Sequence, residues 1–239
     1  MKALRCEKVT KRFGQLAAVK DLSFEVEEGE IFGIAGPNGS GKSTLFNLIT
    51  GFYHGSGDII FNGDRISRLR PHQICRKGIA RTFQVPNLFS TMTVLQNVKI
   101  GAHFGVEGPH DDQEITNEAI NSVGLKGKEN AIAATLNTLD LKRTMIAAAL
   151  ATKPKLLLLD EPMAGLAPMA IRQTVKLLQK ISSELGVTLI IVEHRMRILM
   201  ELCHRLMILN EGAKVCIGPP QEVLRDKRVS EIYLGVAHA

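Results

Sequence analysis

Short, unbroken apolar runs mark strands buried on both faces: Ile31 to Ala35, Leu156 to Leu159 and Val187 to Val192. Leu4 to Val9 and Leu22 to Val26 predict two further strands bracketing a turn at Gly14. Asp58 to Phe61 predicts a strand entering a tight turn at Asn62-Gly63. Helical spacing over Ala170 to Ser183, between two of the buried runs, predicts a βαβ crossover and hence a parallel-sheet core. From about Thr93 to Ala151 the pattern is mainly helical, clearest over Glu114 to Val123 and Lys142 to Ala151, with a break at Gly105, Gly108 and Pro109. After a strand at Arg205 to Leu209 and a turn at Glu211-Gly212, two short helices remain, Gln221 to Arg225 and Val229 to Leu234. They are too short for an added regulatory domain. The chain reads as one α/β lobe interrupted by a helical insertion, without internal repeats or low-complexity linkers.

Composition narrows this little. The chain has 239 residues, 45% of them hydrophobic, enough for one large α/β domain or one with a smaller lobe. No apolar stretch approaches the roughly 20 residues that span a bilayer, and Met1 to Glu7 carries no apolar signal region. A cytosolic setting is therefore expected. Cys6, Cys75, Cys203 and Cys216 form no C-x-x-C pair and are expected to be reduced and partly buried. The net charge of +6 is modest. Arg65, Arg68, Arg70, Arg76, Lys77 and Arg81 cluster and read as a solvated face; attraction to anionic lipid is the alternative. Without interleaved aromatics the cluster does not suggest nucleic-acid binding.

The chemistry begins at Gly36-Pro37-Asn38-Gly39-Ser40-Gly41-Lys42-Ser43-Thr44. This segment fits Gly-x4-Gly-Lys-Ser/Thr between a buried strand and a helix, the setting a phosphate loop requires. Glycines let backbone N–H groups approach a phosphate chain, and the helix N-terminus adds positive dipole. Lys42 is expected to reach the β- and γ-phosphates and Ser43 to ligate Mg²⁺. A glycine-rich turn that binds nothing is the bland alternative, disfavoured by a complete motif in context. Downstream, Leu156 to Leu159 run into Asp160-Glu161-Pro162. The carboxyl end of a buried strand is where α/β sheets place ligands. Asp160 is suited to hold Mg²⁺ and Glu161 to act as general base or to orient the attacking water.

With these residues in hand, the chain resembles the nucleotide-binding subunits of ABC transporters over essentially its whole length. It is most similar to the ATPase subunits of branched-chain amino-acid importers. The closer likeness lies in Thr50 to Tyr53, Gly78 to Gln84, Met92 to Val98, Val192-Glu193-His194 and Tyr233-Leu234-Gly235. Urea-uptake and lipopolysaccharide-export subunits share parts of the pattern. The resemblance implies a P-loop NTPase fold of the ABC type. Its parts would be a RecA-like parallel-sheet core, an N-terminal antiparallel β-subdomain and an inserted α-helical subdomain. Core and β-subdomain would span residues 1–84 and 153–239, and the insertion 85–152. The resemblance also implies roles: Phe13 stacking on adenine, Gln84 touching Mg²⁺ or the attacking water, and His194 hydrogen-bonding the γ-phosphate. Implied partners are permease subunits, a second ATPase subunit or a second copy of the chain, and indirectly a solute-binding protein. The implied place is the inner face of the cell membrane.

Two segments depart from the family pattern. The signature, usually Leu-Ser-Gly-Gly-Gln, is matched by Leu136-Asn137-Thr138-Leu139-Asp140. In the family it caps the ATP of a dimer partner. Asn137 can still cap the following helix, but Thr138 and Leu139 add bulk, and Asp140 repels a phosphate if it points inward. A weakened signature is expected. Second, Ala167 stands where an interface aspartate is usual. The combination suits a heterodimer whose other ATPase supplies the good signature. The competing classes are a low-activity regulatory ATP-binding subunit and a non-transport ABC protein of DNA repair or translation. The latter typically carries two cassettes or long extensions, neither of which is seen in this sequence.

Overall fold

The computed structural model describes residues 1–105 and 108–234. In chain order its elements are β1 (Lys2–Phe13), β2 (Leu16–Glu27), β3 (Ile31–Ala35), α1 (Lys42–Ile49), β4 (Ser56–Phe61), β5 (Asp64–Arg65), α2 (Pro71–Arg76) and β6 (Ile79–Thr82). There follow α3 (Val94–Gly105), α4 (Asp112–Ser122), α5 (Thr138–Leu150), β7 (Leu156–Asp160), α6 (Pro168–Leu185), β8 (Thr188–Val192), α7 (Met196–Leu202), β9 (Arg205–Asn210), β10 (Ala213–Gly218), α8 (Pro220–Arg225) and α9 (Lys227–Leu234). The chain divides into two units, residues 1–71 with 188–239, and residues 72–187.

The first unit contains an antiparallel sheet of order β2-β1-β4-β5. Its longest hairpin, β1 with β2, turns at Gly14, whose φ of 58° lies in the left-handed region that suits glycine. Leu4, Cys6, Val9, Leu22, Phe24 and Val26 supply the buried face. The β4–β5 turn has positive φ at both Asn62 and Gly63, the geometry an Asn-Gly hairpin turn requires. The same unit holds the parallel strands β9, β3 and β8, in register Ile34↔Val192 and Ile34↔Met207, with β10 antiparallel on β9. All five residues of β3 and of β8 are buried, as their continuous apolar runs predict. Gly33 is required within β3, because a Cβ there would lie 2.8 Å from Leu206 Cδ1 and 2.9 Å from Cys203 Sγ.

In the second unit β6 and β7 pair in parallel, Ile79↔Leu156 through Thr82↔Leu159. Helices α3, α4 and α5 pack on one another. The α3–α5 approach needs small residues: a Cβ on Gly101 would stand 2.1 Å from the Ala148 carbonyl oxygen. Asp111 caps α4 by accepting from the Gln113 and Glu114 N–H groups. Helix α6 starts on Pro168 and ends at Gly186 in the left-handed conformation, the asymmetry expected of Pro and Gly.

Differences from the sequence reading are local. Helix α5 begins at Thr138 with Asn137 as its cap, as the sequence allows, and so extends four residues before the clearest helical stretch at Lys142. Strand β10 is new; its residues are mostly half-buried, so it shows no alternation. Cys6 and Cys203 are buried and Cys75 and Cys216 half-buried, all four free; burial pushes the Cys203 thiol up to about 12. Among the described residues no helix is long and apolar enough to cross a membrane.

Asn97, 3% exposed on α3, holds the chain that precedes its helix. Its Oδ1 accepts from the Phe89 N–H at 2.8 Å, and its Nδ2 donates to the carbonyls of Phe89 and Thr93 at 3.1 and 2.9 Å. Asn97→Leu leaves the Phe89 N–H without its partner, whereas the Phe89 and Thr93 carbonyls keep the Met92 and Asn97 N–H donors. Urea unfolding is expected to show a loss of about 1–2 kcal/mol, and an unchanged midpoint would mean that the loop re-pairs elsewhere.

Candidate functional site

In the first unit β3 ends at Ala35 and α1 begins at Lys42, so Gly36 to Gly41 form the connecting loop. Gly39 and Gly41 have φ of 78° and 104°, and a Cβ on Gly41 would lie 2.3 Å from the Ala18 carbonyl oxygen. No side chain caps the α1 N-terminus, and a helix start of this kind favours an anion. The Lys42 ammonium, on a residue 6% exposed, folds into its own loop. It donates to the Gly36 and Pro37 carbonyls at 2.8 Å each and to Ser40 Oγ at 3.2 Å. Pro37 and Thr44 are half-buried, whereas Asn38 and Ser43 are exposed. This cradle fits a polyphosphate: its glycines are demanded by conformation or close approach, and its charge sits inside the curve.

Around it in the same unit lie the other predicted nucleotide contacts. Phe13, at the end of β1, is 44% exposed and meets Tyr53 edge-on, with ring centroids 5.3 Å apart and an interplanar angle of 76°. Lys11 Nζ lies 5.1 Å from the Phe13 centroid and 5.4 Å from that of Tyr53, and donates to the His54 carbonyl at 2.8 Å. His194 follows β8, which runs parallel beside β3, so it leaves the same end of the sheet as the phosphate loop. Its backbone N–H donates to the buried Glu193 carboxylate. Tyr233 on α9 is hydrogen-bonded to the Gly36 backbone, while burial raises its phenol pKa. Gly235 of the same ending lies outside the described residues.

The second unit holds the acidic residues. Asp160, the last residue of β7, accepts from Arg81 of the neighbouring β6 at 2.9 Å; their side chains are 9% and 7% exposed. Arg81 is thus a buried ion-pair partner and not part of a solvated face, because β6 and β7 are in register over a sequence separation of 79. Gln84 Nε2 donates to Glu161 Oε2 at 2.8 Å. The two candidates read separately from the sequence are therefore in contact. Glu161 has a φ of 47° and precedes a proline. Both features are unfavourable for a residue with a Cβ, at about 1–3 kcal/mol for the left-handed backbone alone.

The altered signature opens α5. Asn137 is its N-cap, with the side chain accepting from the Asp140 N–H at 2.9 Å. Asn137 Nδ2 donates back to Asp140 Oδ2 at 2.9 Å, and Lys128 Nζ reaches the same oxygen at 2.5 Å. The Asp140 side chain is 5% exposed. Its charge is therefore neutralised within the unit, which removes the expected repulsion. The same bonds occupy the Asn137 side chain and one of the helix's first N–H groups. The sequence does contain a signal for this, since Asn-x-x-Asp is a capping-box spacing with Asp in place of Glu.

The comparisons with known proteins agree from end to end. Residues 19–164 match the family described as ABC transporter. The chain belongs to the ABC transporter family. It is 34% identical over 245 residues to the high-affinity branched-chain amino acid transport ATP-binding protein BraF of Pseudomonas aeruginosa, covering 96% of each chain. Its fold is similar to that of MJ1267, an ATP-binding cassette of an ABC transporter in its ADP conformation, with TM-score 0.91, 33% identity and coverage of 98% and 99%. The dimeric structure of MJ0796, a bacterial ABC transporter cassette, is similar with TM-score 0.82, 25% identity and coverage of 91% and 98%. The protein is accordingly an α/β P-loop ATPase of the ABC class, whose ATP hydrolysis is coupled to transmembrane transport.

Proposed function

We propose that this ABC ATPase energises an importer of branched-chain, hydrophobic amino acids from the inner face of the cell membrane. The observation that carries the substrate class is the end-to-end similarity to BraF, at equal coverage of both chains. On this reading ATP stacks on Phe13 and lays its phosphates along Gly36 to Thr44. Lys42 and His194 hold the γ-phosphate. Glu161, held by Gln84, aligns the attacking water. Ser43, Gln84 and Asp160 offer oxygen donors, the set that suits Mg²⁺, which would neutralise phosphate charge. Two cassettes pair face to face, a pairing that the dimeric relative supports; in this reading they close on ATP and open once its products leave.

The inserted segment 85–152 transmits this change to permease subunits. Val85 and Phe89, 69% and 57% exposed, are suited to receive an apolar coupling element, which disfavours internal packing of Val85 to Phe89. The second ATPase is a different subunit with an intact signature, and a solute-binding protein acts upstream.

A low-activity regulatory subunit is the second reading, favoured by the self-satisfied α5 N-terminus. The two separate in one titration of steady-state ATPase rate against chain concentration, with and without the candidate partner ATPase and permease. A low rate alone that rises at least about 10-fold in the mixture supports the transporter reading. A high, concentration-dependent rate alone shows that Leu136 to Asp140 works in a homodimer. ATP binding without hydrolysis in every mixture supports regulation.

A further inference from the structure

Lys142 is a buried lysine for which nothing above has a use. It lies on α5, two residues beyond the altered signature, and is 6% exposed. A buried ammonium is costly unless its protons are taken up, so where they go is informative. Its Nζ donates to the backbone carbonyl of Glu161 at 3.0 Å. That same oxygen accepts from the Ala164 N–H at 3.1 Å, closing the turn that follows β7. The carbonyl thus carries two donors, one of them charged. It belongs to a residue with φ of 47° directly before Pro162, a backbone state that persists only where its surroundings hold it. The Glu161 side chain is fixed separately, by Gln84 at 2.8 Å.

We infer that Lys142 is a positioning residue for Glu161: its ammonium pins the Glu161 carbonyl, and so aims the carboxylate and ties it to the helix that begins with the signature. The inference rests on the proposed reading of Glu161 as the group that aligns water. The role inferred for Lys142 runs through its bond to the Glu161 backbone and not through proton transfer. The juxtaposition gives the signature helix a direct mechanical link to the hydrolytic carboxylate of the same chain. Movement of α5 along its axis would shift the Glu161 backbone, whereas the Asp140–Lys128 bond in the first turn of α5 resists such movement.

The test compares Lys142→Met, which keeps length and burial but removes the donor, with Lys142→Arg, which keeps a charged donor. Single-turnover hydrolysis of MgATP is measured with excess chain together with the partner ATPase and permease, beside ATP affinity and amide exchange at Ala164. Lys142→Met is expected to slow hydrolysis about 10–100-fold through misplacement of the carboxylate. Exchange at Ala164 is expected to quicken about 10-fold as the turn opens. ATP affinity and exchange in β7 should stay within about 2-fold, and Lys142→Arg should recover most of the rate. Unchanged Ala164 exchange in Lys142→Met overturns the inference whatever the hydrolysis rate. So does a parallel fall of affinity and β7 protection, which marks a merely structural lysine. Glu161→Gln, run alongside, separates the two layers. If it hydrolyses normally, the reading of Glu161 fails. If it is inactive while Lys142→Met is normal, only the positioning role fails.

Discussion

Glu161→Gln is expected to reduce ATP hydrolysis by at least about 100-fold, the usual contribution of a positioned proton acceptor, while leaving ATP affinity within a few-fold. The substitution is close to isosteric. Gln84 Nε2 now donates to Glu161 Oε2, and an amide carbonyl at residue 161 could accept from it in the same place. The Lys142 and Ala164 bonds go to the backbone carbonyl and are untouched. What changes is the ability to accept a proton from water or to orient it through a full charge. Nucleotide binding depends on other atoms, so the variant should accumulate an ATP-bound state. In the proposed heterodimer that state is closed, so with the partner ATPase and MgATP gel filtration should show more of the paired species than wild type under turnover. Phosphate release and equilibrium ATP binding read the two quantities separately. Wild-type turnover in the variant would remove Glu161 from the proposed chemistry. Loss of hydrolysis without any effect on transport by the assembled complex would favour the regulatory reading.

The parts of this molecule that were legible in the sequence are those whose chemistry is done by backbone or by local order. The phosphate loop is one: Gly39 and Gly41 are demanded by their conformations, and such demands leave glycines at fixed spacing. The strands β3, β7 and β8 are another, since burial on both faces leaves an unbroken apolar run. Arg81 was not legible. In sequence it is one basic residue among several, and only the pairing of β6 with β7 brings it to Asp160. Lys142 is similar, because nothing local says that its ammonium turns inward to a carbonyl 19 positions away. The start of α5 is legible through Asn137, a helix-capping residue type, whereas the turn of the Asp140 carboxylate back onto Asn137 and Lys128 is not. Gln84 and Glu161 were each readable as candidates. Their contact across 77 positions was not.

Lys42→Met is expected to lower ATP affinity by at least about 10-fold, because a charge-assisted bond to phosphate contributes roughly 1.5–3 kcal/mol. A second effect follows from where the ammonium lies. Lys42 Nζ donates to the Gly36 and Pro37 carbonyls and to Ser40 Oγ, so it holds the loop's curve as well as its charge. A methionine there leaves these acceptors without that donor, at a cost of about 1–3 kcal/mol for a buried group. At this chain length each kcal/mol moves the melting midpoint by about 2–4 °C, so a fall of several degrees should accompany the loss of affinity. Lys42→Arg should not restore binding, since a planar guanidinium does not reproduce three bonds that converge on one ammonium nitrogen inside the loop. The two effects can be told apart with ATP itself. Added MgATP should raise the midpoint of the wild-type chain by mass action and leave that of Lys42→Met nearly unmoved. If the variant melts lower yet still gains the full shift from ATP, Lys42 shapes the loop while the backbone N–H groups at the start of α1 carry the phosphates.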